Sequence, residues 1–131
     1  MSALKILVIP GSLRTGSLNA RLAATVAYEF SQAGADVTRI SLADFPLPIY
    51  EGDLQSKSGV PKNAVNLKRM MSAHHGVLIV TPEYNSSVPP LVKNTIDWVS
   101  RVQDGQERRG QIFRERPFAI AAASEGRLGG T

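Results

Sequence analysis

The chain contains no cysteine, and this absence removes several kinds of chemistry at the outset. Disulfide bonds, thiolate metal sites and a cysteine nucleophile are all excluded. The sequence also lacks any apolar run of roughly 18 residues, so it predicts no transmembrane helix. No basic segment followed by an apolar stretch precedes the first strand-like pattern, so we expect no secretory signal and a cytoplasmic location.

The excess of positive over negative charge is also small, because the formal net charge is only +4 over 131 residues. The densest basic group is diluted by acidic neighbours and consists of Arg108, Arg109, Arg114 and Arg116. Aromatic side chains do not alternate with these arginines, as they do in nucleic-acid-binding surfaces. We therefore predict no nucleic-acid partner. We interpret the group as a solvated loop, with an anion contact or a subunit contact as alternatives.

The most informative stretch is an apolar strand followed by a polar loop and a helix. Residues 76–80 read Gly-Val-Leu-Ile-Val, which is typical of a parallel strand buried on both faces. Pro82 ends this strand, and Pro89 and Pro90 favour the start of a helix. Residues 83–87 therefore form a loop at the carboxyl end of a parallel strand, where open α/β sheets bind their ligands.

Strand and helix patterns alternate along the whole chain. We predict strands over residues 4–10, 36–42, 76–80 and 117–123, and loops over residues 43–61 and 102–116. Helices are predicted from residue 18 to near Gly34, over residues 62–73, and from residue 90 onward. This alternation implies a parallel sheet with right-handed crossover connections, in which residues 36–42 form a half-buried edge strand.

A second polar loop, residues 11–19, separates the first strand from the first helix. Its sequence, Gly-Ser-Leu-Arg-Thr-Gly-Ser-Leu-Asn, combines hydroxyls, an amide and a guanidinium with a helix N-terminus. These groups suit a phosphate dianion. The Walker and dinucleotide-binding motifs are both absent, so the loop predicts noncovalent binding of a terminal phosphate. The alternative is a well-capped turn in which Ser17 is the N-cap.

Two further features call for a structural interpretation. His74 and His75 are adjacent at a helix end, but no clustered acidic residues accompany them, so we predict no metal site. Trp98 lies on the third helix, and we expect it in the core or in a subunit contact.

Two separated stretches resemble the NADPH-dependent FMN reductase family, the flavodoxin-like group that includes bacterial chromate and quinone reductases. Residues 11–19 are similar to its Gly-Ser-x-Arg-x-x-Ser-x-Asn loop. Residues 82–85, Pro-Glu-Tyr-Asn, and the helix after them are similar to a second family segment. Residues 124–130 match its Ser-x-Gly-x-x-Gly-Gly ending, so the resemblance covers nearly the whole chain.

The resemblance implies a fold of the α/β class, a flavodoxin-like doubly wound parallel sheet of strand order 2-1-3-4-5. FMN would bind at the switch between the first and third strands. Only four strands are predicted here, so we expect the order 2-1-3-4 in a single domain over residues 1–131. The fifth strand and last helix of the family would then be missing. Arg116 also replaces a lysine that usually precedes Pro117.

The resemblance also implies which residues contact FMN. The phosphate would be held by Ser12, Arg14, Ser17, Leu18 and Asn19. The isoalloxazine ring would be lined by Pro82, Glu83, Tyr84, Asn85 and Ser87. The loop after the fourth strand would contribute Ser124, Gly126 and Arg127.

The implied activity is that of an NAD(P)H-dependent oxidoreductase. Bound FMN would pass hydride or electrons from NADPH or NADH to a flavin, quinone, azo compound or metal oxyanion, with no catalytic side chain required. Arg101, or Arg108 with Arg109, could contact the NADPH 2′-phosphate. The alternative is an electron carrier without a nicotinamide site, although such carriers are typically acidic. Family members commonly form homodimers or homotetramers, so we expect self-association.

Overall fold

The computed structural model describes residues 3–14 and 17–124. Its four strands are β1 (Lys5–Pro10), β2 (Asp36–Arg39), β3 (Gly76–Val80) and β4 (Phe118–Ala121). All neighbouring strands are parallel, and their spatial order is β2-β1-β3-β4. The predicted sheet and strand order are therefore confirmed.

Two strands are shorter than the sequence predicted. β2 ends at Arg39, because the chain then enters a 3₁₀ turn, Leu42–Asp44, in which the Ser41 hydroxyl accepts from the Ala43 amide. β4 pairs with β3 only from Phe118 to Ala121. Apolar residues continue past both ends, at Ile40 and Leu42 after β2 and at Ala122 and Ala123 after β4, so the pattern alone extends the strands too far.

Three helices occupy the predicted positions, namely α1 (Leu18–Gln32), α3 (Lys62–Ser72) and α4 (Pro90–Val99). Two short helices lie inside segments that we predicted to be loops, namely α2 (Gly52–Ser58) and α5 (Gln111–Arg114). Helix α2 has no buried residue, so no apolar stripe marked it in the sequence. Its signals are local: the Glu51 carboxylate accepts from the amides of Asp53 and Leu54, and Gly59 ends the helix at φ +76°.

The core lies on both faces of the central strands, as a doubly wound sheet requires. All five residues of β3 are buried, which confirms the prediction for this strand. Leu7, Ile9 and Val77 pack toward α3 and α4 on one face, and Val8 and Leu78 pack toward α1 on the other.

Helix α4 also orders part of the predicted loop 43–61. Trp98 is fully buried, and its Nε1 donates to the Pro48 carbonyl at 2.7 Å. The Asn94 amide donates to the same carbonyl and accepts from the Tyr50 amide. The Tyr50 ring contacts the Trp98 ring edge-on at 4.9 Å between centroids. The predicted core position of Trp98 is confirmed.

The two histidines make local structural contacts. His74 Nδ1 lies 2.7 Å from the Met70 carbonyl, and His75 Nδ1 accepts from the Lys5 amide at 2.8 Å. Arg116 donates from Nη1 to the His74 carbonyl, so this departure from the family pattern ties the start of β4 to the start of β3. Among the described residues, no group of three or more His, Asp or Glu is arranged to hold a metal ion.

Ion pairs attach the segment after α4 to helix α3. The Lys68 ammonium is 5% exposed and pairs with Glu107, with Asp104 at 3.9 Å. The more exposed Arg69 donates from Nε to Asp104 at 3.0 Å. This hydrogen bond, together with the positive charge of Arg69, holds the pKa of the Asp104 carboxyl below its usual value. Within residues 17–124, none of the helices is long and apolar enough to cross a membrane.

Gly11 allows the end of β1 to approach β3 and α4 closely. A Cβ at this position would lie 2.6 Å from Val92 Cγ2 and 2.9 Å from Thr81 Oγ1. The Gly11 amide donates to the Val80 carbonyl at 2.7 Å, which fixes the backbone there. Close approach therefore requires glycine at residue 11.

We predict that Gly11→Ala lowers the free energy of unfolding by about 1–3 kcal/mol, because the new methyl group forces Val92 and Thr81 apart. Urea unfolding measures the change. Gly52→Ala is the matched control: open space surrounds that position, so stability should stay the same or rise by up to about 1 kcal/mol. Equal losses in both variants would contradict the packing argument.

The Asp104 ion pair predicts a pH-dependent stability. A carboxyl whose pKa is lowered by folding stabilises the protein above its unfolded pKa, and this stabilisation is lost as the pH falls through the lowered value. The difference in unfolding free energy between wild type and Asp104→Asn should therefore shrink as the pH falls from about 6 to about 3. Urea titrations across this range test it, and a constant difference would contradict the assignment.

Candidate functional site

The loops after β1 and β3 begin side by side at the carboxyl edge of the sheet. Pro10 is in register with Val80, the last residues of two neighbouring parallel strands. The chain leaves β1 for β2 by way of α1 and returns to β3 on the other side of β1 by way of α3. This reversal of direction is the switch point at which sheets of this type bind ligands.

A cleft of about 500 Å³ lies between these loops, and we call it the Arg14 cleft. It brings together residues from the two predicted loops and from the end of β4. Its lining consists of Ser12, Arg14, Ser17, Leu18, Asn19, Pro82, Tyr84, Ala123 and Ser124. Eight of these nine residues were predicted from the sequence, and Ala123 was not.

The side of the cleft at helix α1 carries hydrogen-bond donors and positive charge. The Ser17 hydroxyl accepts from the Ala20 amide at 3.0 Å and so caps the helix, which leaves its own O–H available to a ligand. The Ser12 hydroxyl accepts from the Arg14 amide at 3.2 Å, and the Arg14 side chain is exposed. The unpaired amides at the start of a helix attract anions. This end of the cleft suits a phosphate group.

The opposite side of the cleft is formed by a tight turn after β3. The Tyr84 amide donates to the Ser87 carbonyl at 2.9 Å, and the Ser87 amide donates back to the Tyr84 carbonyl at 3.2 Å. Asn85 and Ser86 between them have φ of 54° and 63°, the pattern of a type I′ turn. Sequence reasoning missed this conformation, although asparagine at residue 85 is a known signal for positive φ.

The turn separates the Arg14 cleft from a second cavity of about 380 Å³, which we call the Ile120 cavity. Its lining consists of Thr81, Pro82, Glu83, Ser86, Ser87, Val88, Ile120 and Ala122. Pro82 borders both spaces. Two predicted ring-lining residues, Glu83 and Ser87, therefore lie at the Ile120 cavity rather than at the Arg14 cleft.

The remaining predicted positions divide as follows. Asn85 lines neither space, because it occupies the tip of the turn. Gly126 and Arg127 lie outside the described residues. Asn19 lines the cleft, and its side chain bonds to the backbone of Ala123. Ala123 carries no chemical signal in the sequence, since only its backbone and position matter.

The arginines considered for the NADPH 2′-phosphate lie elsewhere. Helix α4 begins at Pro90, shortly after the Tyr84–Ser87 turn, and Arg101 follows the other end of this helix. A ten-residue helix spans about 15 Å, so Arg101 lies at the end of α4 that is remote from the turn. There the Arg101 guanidinium stacks 4.1 Å from the centroid of the Tyr50 ring. Arg101 and Arg109 border a separate cavity of about 410 Å³. Neither of these two arginines lines the Arg14 cleft.

A parallel sheet of order 2-1-3-4 with a phosphate-type loop at its switch point defines a flavodoxin-like α/β protein. The family model described as NADPH-dependent FMN reductase matches residues 4–131. The chain therefore belongs to the NADPH-dependent FMN reductase family.

Individual relatives agree with this assignment. A quinone reductase of Escherichia coli (strain K12) is 39% identical over 128 residues, covering 97% of this chain and 63% of that protein. A 2-hydroxy-1,4-benzoquinone reductase of a Burkholderia species is 39% identical over 127 residues, covering 97% of this chain and 64% of that protein. The chain thus spans less than two thirds of the length of these relatives.

A solved structure is similar over almost the whole chain. It is FerB, a flavoenzyme NAD(P)H:(acceptor) oxidoreductase from Paracoccus denitrificans. The TM-score is 0.70 at 31% identity, and the match covers 95% of this chain and 63% of that one.

The type I′ turn predicts an unusual response to glycine. Ser86→Gly should raise the free energy of unfolding by about 1 kcal/mol, because glycine adopts positive φ without the strain that a Cβ causes. Urea unfolding measures this change. Ser56→Gly is the matched control on the exposed surface of α2, where glycine should cost about 0.5–1 kcal/mol. A loss of stability at both positions would show that Ser86 is not strained.

Proposed function

We propose that this protein binds FMN in the Arg14 cleft and uses it to pass electrons from NADPH or NADH to a small acceptor. One observation carries the proposal: the phosphate-type loop after β1 borders the same cleft as Pro82 and Tyr84, which follow β3. Membership of the NADPH-dependent FMN reductase family supports it independently.

The cleft has the groups that a mononucleotide requires. Arg14, Ser12, Ser17 and the start of α1 suit the phosphate at one end. Pro82 and the half-exposed ring of Tyr84 offer apolar surface to a flat ring system at the other. The volume of about 500 Å³ is within the usual range for cofactor-sized ligands.

The chain's own residues bind and orient the cofactor, while the flavin, when bound, supplies hydride and electron transfer. Arg14 neutralises the phosphate charge, and the backbone at the start of α1 fixes the position of the phosphate. The Tyr84–Ser87 turn holds the ring end, since its two mutual hydrogen bonds keep Pro82 and Tyr84 in place. We assign no catalytic acid or base.

The acceptor that we propose is a quinone. Its support is the identity of two relatives, a quinone reductase and a 2-hydroxy-1,4-benzoquinone reductase. Free flavins, azo compounds and metal oxyanions are the competing acceptors to be compared in the same assay.

We also propose that the protein is a cytoplasmic homodimer or homotetramer. Exposed apolar side chains away from β4 support association, since Ile49 is 83% exposed and Tyr28 is 60% exposed. Such residues favour association with another chain. Light scattering of the purified protein measures the assembly.

We predict that Arg14→Ala raises the Kd for FMN by about tenfold to a hundredfold, because a charge-assisted hydrogen bond to the phosphate is lost. Flavin fluorescence quenching measures the Kd. Arg21→Ala, which removes an exposed arginine of helix α1 that does not line the cleft, is the matched control and should leave the Kd unchanged.

Anaerobic addition of NADPH to the FMN-loaded protein tests the electron transfer. Bleaching of the flavin absorbance, followed by recovery with 1,4-benzoquinone, is the expected result. Flavin that binds but is not bleached by NADPH or NADH would favour the electron carrier instead. Protein that binds no flavin at all would refute the proposed function.

A further inference from the structure

Asn19 makes a paired contact with a residue far along the chain. Its Nδ2 donates to the Ala123 carbonyl at 3.2 Å, and its Oδ1 accepts from the Ala123 amide at 3.0 Å. The side chain is thus bonded to both polar groups of one peptide residue, 104 positions away. Asn19 is only 4% exposed, so these bonds form where water competes little.

The contact lies where main-chain pairing of β4 stops. The Thr81 amide donates to the Ala121 carbonyl at 2.9 Å, one step past the last register pair of β3 and β4. Two residues further on, Asn19 supplies both a donor and an acceptor to Ala123. An asparagine amide resembles a peptide group, so it extends the hydrogen-bonded arrangement from the end of the sheet to the start of α1.

The contact also joins two walls of the Arg14 cleft. Asn19 is the second residue of α1, two positions after the Ser17 cap, and Ala123 lies beside Ser124 on the β4 side. Of the atoms in the Asn19 amide group, one N–H of Nδ2 and one lone pair of Oδ1 remain for other partners. Half of the hydrogen-bonding capacity of this amide group is therefore used by Ala123.

We propose that Asn19 is a positioning residue that holds residues 122–124 against the start of α1 and so sets the β4 wall of the FMN site. This inference rests on the proposed function, and it differs from the phosphate contact that the family resemblance implied for Asn19. A phosphate ligand affects only phosphorylated flavins, whereas a positioning residue affects every flavin that touches the wall.

Riboflavin, which has the ring and ribityl chain of FMN but no phosphate, separates the two roles. Asn19→Ala should raise the Kd for FMN and for riboflavin by the same factor, about tenfold, because the Ala123 bonds are lost. The ratio of the two Kd values stays that of wild type. Arg14→Ala is the comparison: it should raise the Kd for FMN and leave that for riboflavin unchanged. The proposal would be overturned if Asn19→Ala changed the ratio of the two Kd values as Arg14→Ala does. It would also be overturned if Asn19→Ala changed neither Kd.

Two further measurements distinguish positioning from a general effect on stability. At saturating flavin, Asn19→Ala should alter the visible circular dichroism of the bound ring, since its protein wall has moved. In the flavin-free protein, it should speed hydrogen exchange of the Ala123 amide by at least about tenfold, while Arg14→Ala does not. An unchanged spectrum and unchanged exchange would overturn the inference.

A second variant breaks the same contact from the other side. Ala123→Pro removes the amide that donates to Asn19 Oδ1 and leaves the phosphate loop intact. It should weaken FMN and riboflavin equally, as Asn19→Ala does, and it remains informative if Asn19→Ala does not fold. Loss of FMN binding alone would contradict the proposal. If wild type binds neither flavin, the proposed function fails, and the exchange measurement still tests the contact.

Discussion

The close approach of β1 and β3 at their carboxyl ends is the constraint on which the site depends. Gly11 bonds to the Val80 carbonyl and leaves no room for a Cβ against Thr81 and Val92. Because both loops start from this contact, the α1 side and the Tyr84 side of the cleft are positioned by backbone. The spacing between the two ends is therefore independent of the exposed side chains that line them.

Much of the fold was predictable because most strands and helices have a clear local sequence pattern. Apolar runs mark β1 and β3, and two prolines mark the start of α4. Helix α1 is marked by apolar residues at every fourth position from Leu18 to Phe30. Helix α2 was missed because it buries no residue, and its formation depends on the Glu51 cap and Gly59. Local capping produces a helix there without any apolar periodicity.

The part of the candidate site that consists of chemically distinctive side chains was predictable from the sequence. Arg14, Ser17 and Tyr84 have functional groups whose chemistry points to a ligand, and the structure places all three at one cleft. Ala123 has none, since it participates through its peptide group. Asn19 appeared in the right place, but its bonding to Ala123 depends on a contact across 104 positions that no local pattern encodes. Long-range contacts to the backbone are the part of a site that cannot be predicted from a single sequence.

The position of the Tyr84–Ser87 turn between two spaces has a thermodynamic consequence. Pro82 borders both the Arg14 cleft and the Ile120 cavity, and two mutual hydrogen bonds close the turn beside it. A molecule in the Ile120 cavity that displaces Pro82 also displaces a wall of the Arg14 cleft and so changes affinity there. Linkage is reciprocal, so a ligand in the cleft changes affinity in the cavity by the same factor.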